Sequence, residues 1–164
     1  AGWTQDYTGF IAALTKAVPH LPQGWHLRLK EHPSAKQSLA EMLAPLLATG
    51  RAVLDNSTDS FAQVAASQGV VTLNSSMGLQ AFFHDKPVIT LGRAFFALPG
   101  LVTPCSDQAT TNAAFATPQP FDPALRDGFM TWLTAYYPRF SKTDFDRTAF
   151  KAKLDQSRRS CDNK

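Results

Sequence analysis

Val70-Val71-Thr72-Leu73-Asn74-Ser75-Ser76-Met77-Gly78-Leu79-Gln80-Ala81-Phe82-Phe83, with Pro87-Val88-Ile89-Thr90-Leu91 close behind, is the stretch that decides the fold. Its opening β-branched run reads as a strand, because side chains branched at Cβ suit a pleated surface better than a helix. Ser75 or Ser76 then stands where a helix N-cap belongs, and Leu79, Phe82 and Phe83 follow at helical spacing. The last run is apolar but for Thr90, as in a strand covered on both faces. Strand, helix and strand in this order imply a right-handed crossover and parallel pairing.

The same alternation continues outward in both directions. Residues 52–54 form another strand candidate, and Ser57 or Thr58 is placed to cap a helix through Phe61, Val64 and Ala65 that Gly69 ends. Leu39, Met42, Leu43, Leu46 and Leu47 make an amphipathic stripe closed by Gly50. Trp25, Leu27 and Leu29 alternate with His26 and Arg28, a strand with one face more buried than the other. Before them Tyr7, Phe10, Ile11, Leu14 and Val18 form a helix that Pro19 and Pro22 end. Downstream, residues 92–123 read as loop-rich, broken by Pro99, Gly100, Pro104, Pro118 and Pro120. Two helices are expected to close the chain, one from Pro123 or Ala124 to about 137 and one from about 143 to 157. The pattern predicts an α/β, Rossmann-like fold, a mostly parallel sheet with helices on both faces, whose ligands bind beyond the carboxyl ends of the strands.

A length of 164 residues suits one domain, 1–164, and 44% apolar with 18% charged residues is a globular composition. The net charge of +3 is mild, and its Lys and Arg residues are scattered, which argues against a nucleic-acid partner. Only the tail, with Lys151, Lys153, Arg158, Arg159 and Lys164, is locally basic, and it reads as a solvated helix face. Cys105 and Cys161 lack metal or redox spacing and read as free thiols. Asp55, Asp59, Asp85 and Asp107 are isolated, so no metal and no cofactor is expected. No apolar run approaches the roughly 18 residues that a membrane span needs, and no signal peptide opens the chain, so a cytoplasmic location is expected. The chain enters a helix pattern almost directly after Ala1, as expected of a piece of a longer protein.

Two segments stand at the ligand-facing strand ends. In Leu29-Lys30-Glu31-His32-Pro33-Ser34, Pro33 keeps His32 out of helical geometry, so its imidazole can meet a phosphate or ribose while Lys30 adds a point charge. A solvated surface turn accounts for the same residues. In the second, Asn74-Ser75-Ser76-Met77-Gly78, two hydroxyls and the amides at a helix start suit an anion, and Gly78 allows close approach of a ligand or a neighbouring backbone. An ordinary serine cap, contributing about 1 kcal/mol, also accounts for it. Asp55-Asn56-Ser57-Thr58-Asp59 lies at the same edge and reads as a capping turn before a ribose contact. Phe95, Phe96 and Leu98 read either as core or as an apolar surface for another domain.

Together these residues resemble a known family. Residues 28–33, 71–81 and 86–96, extended by Pro99-Gly100-Leu101-Val102, are similar to the capsule polysaccharide synthesis glycosyltransferases that transfer Kdo, an acidic eight-carbon sugar, from CMP-Kdo. The pairing of a His-Pro motif with a Ser-Ser motif also resembles bacterial CMP-sialic acid transferases of the GT-B fold. The resemblance implies one half of a GT-B glycosyltransferase, the half that binds the CMP-sugar donor. It implies that His32 contacts the CMP phosphate and stabilises the leaving group, that Ser75 and Ser76 bind phosphate, and that Lys30, Glu31, Pro33, Asn74 and Gly78 lie around the nucleotide. It also implies an N-terminal half that binds a lipid-linked or oligosaccharide acceptor and supplies a catalytic carboxylate, so this chain alone is expected to bind donor and transfer sugar poorly. Lipid-linked acceptors raise peripheral association of a full-length protein with the inner membrane. A CMP-sialic acid transferase domain and a non-catalytic, export-associated binding module are the alternatives.

Overall fold

The computed structural model describes residues 3–4, 6–31 and 39–136. Elements follow in the order α1 (Tyr7–Ala17), a 3-10 turn (Val18–His20), β1 (Leu27–Leu29), α2 (Ala40–Leu47), β2 (Ala52–Leu54), α3 (Ser60–Ala66), β3 (Val70–Thr72), α4 (Met77–Phe82), β4 (Val88–Thr90), β5 (Thr103–Pro104), α5 (Gln108–Ala116) and α6 (Pro123–Tyr136). Among the described residues all the strand pairing is parallel. Strand β1 pairs with β2, Leu27 opposite Ala52 and Leu29 opposite Leu54. Strand β4 lies between β3 and β5, with Thr72 opposite Thr90 and Ile89 opposite Thr103. This is the expected α/β, Rossmann-like arrangement of short parallel sheets flanked by helices.

Local chemistry explains the boundaries. The Asp6 carboxylate accepts the Gly9 N–H at 2.8 Å and starts α1, whose Ile11, Ala13, Leu14 and Ala17 are buried. Helix α1 packs on α2 and α5, and α3 packs on α4, so two helical groups flank the strands. One core joins both sheets: Ile11, Leu14, Leu43, Leu46, Ala52, Ile89, Leu91 and Phe115 are buried in it, and Leu27, Leu29, Leu54 and Val71 pack against it. Strand β4 is buried along its whole length, the polar Thr90 included, as in a strand covered on both faces.

Two expectations need correction. The cap of α3 is Asp59, which accepts the N–H groups of Phe61 and Ala62, whereas Ser57 and Thr58 turn back toward Asp55. A carboxylate closer to the helix outcompetes the hydroxyls as an acceptor. The stretch 92–123 is also less irregular than its prolines suggest, since it contains β5 and α5. Helix α5 is polar, and its signal lies in a capping box: Asp107 accepts the Thr110 N–H at 2.8 Å while the Thr110 hydroxyl accepts the Asp107 N–H at 3.2 Å. Its buried face consists of Thr111, Ala114 and Phe115.

The chain divides into two compact units, Ala1–Arg126 and Asp127–Lys164. The first carries the α/β fold. In the described part of the second, α6 continues to Tyr136 and the Phe129 and Trp132 rings lie 5.8 Å apart. The helix expected over 143–157, and Cys161, lie outside the described residues. Cys105 is a free, buried thiol, and burial pushes its pKa up.

Candidate functional site

Two clusters of loops form at the carboxyl ends of the strands. In the first, the connections after β1 and β2 meet. Asn56 accepts the Glu31 N–H through Oδ1 at 3.0 Å and donates from Nδ2 to Glu31 Oε2 at 2.7 Å. Glu31 Oε1 also accepts the N–H of Leu39, the residue before α2. The Lys30 ammonium donates to the carbonyls of Asn56, at 3.3 Å, and of Thr58. Lys30 and Glu31 therefore join neighbouring loops, and the Lys30 charge is directed at backbone carbonyls. His32 and Pro33 lie outside the described residues, between these anchored ends.

Asp55 organises the neighbouring turn. Its Oδ1 accepts the N–H groups of Ser57 and Thr58 and the Ser57 hydroxyl, and its Oδ2 is 2.6 Å from Arg28 Nη1. The Thr58 N–H, then the Thr58 and Ser57 hydroxyls and the Arg28 guanidinium, hold this carboxyl well below the usual carboxylate range. In this structure the turn over 55–59 is a cap and a clamp.

The second cluster joins the connections after β3 and β4. Thr72, buried at the end of β3, accepts the Ser75 N–H on its hydroxyl at 3.0 Å. Ser75 Oγ accepts the Met77 N–H at 3.2 Å, and the N–H groups of Gly78 and Leu79 donate to the carbonyls of Ser75 and Ser76. The amides of the first turn are thus largely engaged within it. Helix α4 runs only from Met77 to Phe82, so its dipole is short. The side-chain hydroxyls remain as the free donors of this turn. Ser75 Oγ keeps its own proton to donate, and the Ser76 side chain makes no capping bond. Asn74, Ser75 and Ser76 are all exposed.

Glycines hold this cluster together. A Cβ on Gly92 would lie 2.5 Å from the Leu73 carbonyl oxygen and 2.9 Å from Asn74 Oδ1, so only glycine lets the end of β4 pass under Asn74. A Cβ on Gly78 would lie 2.6 Å from the Phe96 ring. Gly78 therefore admits an aromatic side chain, where the sequence suggested a ligand or a backbone. Phe96 is 1% exposed, whereas Phe95 is 58% and Leu98 46% exposed, so the two expectations for this loop divide between its residues.

A buried stack supports the same cluster. The Phe96 ring meets Phe82 edge-on at 5.9 Å, and the Arg126 guanidinium lies 4.4 Å from the Phe82 centroid and 3.1 Å from that of Phe121. Arg126 donates to the Leu101 carbonyl at 3.3 Å, and burial pushes its pKa down to about 10. The sequence reading missed Gly92 and Arg126 as supports. A glycine directly after an apolar strand was a usable signal for the first, and none pointed to the second.

A family model described as "Capsule polysaccharide biosynthesis protein" matches residues 2–137. The chain belongs to this family. Protein FixF of Sinorhizobium fredii (strain NBRC 101917 / NGR234) is 30% identical over 136 residues, 82% of this chain and 33% of FixF. Capsule polysaccharide modification protein LipB of Neisseria meningitidis serogroup A is 31% identical over 97 residues, 59% of this chain and 19% of LipB, and LipB of serogroup B matches equally. The chain thus spans about a third of the length of FixF and about a fifth of LipB. No solved structure matches it. Among the described residues of this capsule-family chain, no helix is long and apolar enough to cross a membrane, and no three His, Cys, Asp or Glu residues are grouped to hold a metal ion.

Proposed function

We propose that this capsule-family chain is the donor-binding half of a glycosyltransferase, holding a CMP-linked acidic sugar, with Kdo as the sugar and a lipid-linked or oligosaccharide acceptor bound by another part of the whole protein. The observation that carries the reading is the exposed Asn74-Ser75-Ser76 turn at the carboxyl end of β3, whose two hydroxyls keep donor capacity. Strand ends of this kind are where parallel α/β sheets bind ligands. In this reading Ser75 and Ser76 donate to the CMP phosphate, and His32 offsets the negative charge that grows on the departing CMP. A phosphate monoester leaves without needing a proton, so charge stabilisation suffices. The family match supports a role in capsule polysaccharide biosynthesis, and the sugar and the nucleotide are the reading's own additions.

Calorimetric titration of the chain with CMP, beside UMP, tests it. The expected result is a preference for CMP that weakens about tenfold in Ser76→Ala and in His32→Ala, the loss of one hydrogen bond to a charged group. Equal affinity for CMP and UMP, or full affinity in both variants, would overturn the assignment.

A further inference from the structure

On the donor-binding reading above, we infer that Arg93 is the cation of the donor site, a guanidinium that binds an anionic group of the donor beside the Ser75 and Ser76 hydroxyls. A CMP-linked acidic sugar carries a phosphate and a carboxylate, and two hydroxyls alone leave those charges without a cation. Among the described residues, three cations stand toward the carboxyl ends of the strands, and two of them are already engaged. Arg28 is paired with the Asp55 carboxylate at 2.6 Å, and the Lys30 ammonium donates to the carbonyls of Asn56 and Thr58. The third, Arg93, is exposed and has no hydrogen bond or ion pair among the described residues. It is also the one Lys or Arg in the connections after β3, β4 and β5, residues 73–76, 91–102 and 105–107.

The backbone on either side of Arg93 is tied to the serine turn. Directly before it, Gly92 passes so close that an added Cβ would lie 2.5 Å from the Leu73 carbonyl oxygen and 2.9 Å from Asn74 Oδ1. The Leu91 N–H donates to the Thr72 carbonyl at 3.0 Å, and the buried Thr72 hydroxyl accepts the Ser75 N–H at 3.0 Å. One buried residue thus fixes both the loop that carries Arg93 and the turn that carries the serines. Three residues beyond Arg93, Phe96 is 1% exposed and seated over Gly78, which holds the far side of the loop against α4. Backbone fixed in this way before a ligand arrives lowers the ordering cost of binding. The planar guanidinium fork fits phosphate and carboxylate oxygens alike, whereas a lysine would offer only a point charge.

Calorimetry on the full 164-residue chain tests this with cytidine, CMP and a CMP-linked acidic sugar, in the wild type, Arg93→Gln and Arg93→Lys. Arg93→Gln is expected to weaken the CMP-linked sugar about tenfold and to leave cytidine, which has no anionic group, unchanged. Arg93→Lys, which keeps the charge and loses the fork, is expected to lose less. An equal loss for CMP assigns the phosphate to Arg93, and full CMP affinity assigns the carboxylate. Undiminished binding of the CMP-linked sugar in Arg93→Gln overturns the inference, as does an equal loss for cytidine. The side chain is exposed, so the urea midpoint is expected to be unchanged; should Arg93→Gln fail to fold, Arg93→Met takes its place. If the wild-type chain binds neither CMP nor the CMP-linked sugar, the donor reading falls, and inorganic pyrophosphate decides the anion site through the NMR signal of the Arg93 Nε–H. A saturable shift that is lost in Ser76→Ala upholds Arg93 as an anion-binding residue, and an unmoved signal overturns it.

Discussion

Gly78 shows how one missing Cβ can serve packing at a place where sequence alone suggests a ligand. Replacing glycine by alanine inside a helix normally stabilises by about 1 kcal/mol. Here the added carbon would lie 2.6 and 2.7 Å from two atoms of the Phe96 ring, which is 1% exposed and packed between Phe82 and Phe95. Overpacking of this kind costs about 1–3 kcal/mol, so it matches or exceeds the helix gain. Gly78→Ala is expected to destabilise the chain by up to about 2 kcal/mol in urea unfolding, with the denaturant slope unchanged. A raised midpoint would show that the Phe96 ring yields freely. Among the site residues, the hydroxyl pair Ser75-Ser76 was legible because serines after a β-branched run mark a helix start. The Asn56–Glu31 clamp was not, because its partners are far apart in sequence and only the parallel pairing of β1 with β2 brings their loops together.

At the scale of elements, α1, α3, α5 and α6 start where a carboxylate meets free amides. Helix α1 supplies Ile11, Ala13, Leu14 and Ala17 to the core and starts at Asp6, whose Oδ1 is 2.8 Å from the Gly9 nitrogen. Asp6→Ala removes that acceptor and is expected to cost about 1 kcal/mol, read as a lowered thermal midpoint, and Asp6→Asn should recover most of it because the amide oxygen still accepts. No change in Asp6→Ala would mean that α1 is held by its buried face alone. Strongly periodic helices such as α1 were evident from sequence. Helix α5 was not, since QATTNAAFA is short of apolar residues and lies among prolines, and β5 pairs through only two residues, one of them Pro104. Its place beside β4 depends on backbone bonds such as Cys105 N–H to the Thr90 carbonyl at 2.8 Å, which carry no side-chain signature.

For the whole molecule, the structure predicts sensitivity to acid. The Thr58 N–H, with the Thr58 and Ser57 hydroxyls and Arg28, lowers the pKa of Asp55, and the Thr110 N–H and hydroxyl lower that of Asp107. A carboxylate whose folded pKa lies below its unfolded value leaves the unfolded chain with more bound protons in acid. Its stabilisation is therefore complete above the ordinary aspartate pKa of about 4 and is lost as the pH falls from there toward the folded value. Urea unfolding followed from pH 7 to 3 should show a declining midpoint, and the combined Asp55→Asn and Asp107→Asn variant should start lower at pH 7 and decline less steeply. Parallel curves for the two proteins would place the acid-sensitive groups elsewhere.

The sequence by itself determined the α/β class and the order of the main strands and helices through β4. Alternation between β-branched runs and helical stripes is a local property that every segment states for itself, and strand–helix–strand connectivity leaves parallel pairing as the natural arrangement. It also located the exposed serine turn, because capping chemistry is local. Tertiary structure alone decided which loops share a cluster, that Phe96 fills the space over Gly78, that Lys30 and Glu31 are tied to the turn after β2, and that Arg126 lies buried over Phe82 and Phe121. Each of these depends on contacts between residues distant in the chain, and such contacts arise only once packing has fixed the strands and helices against one another.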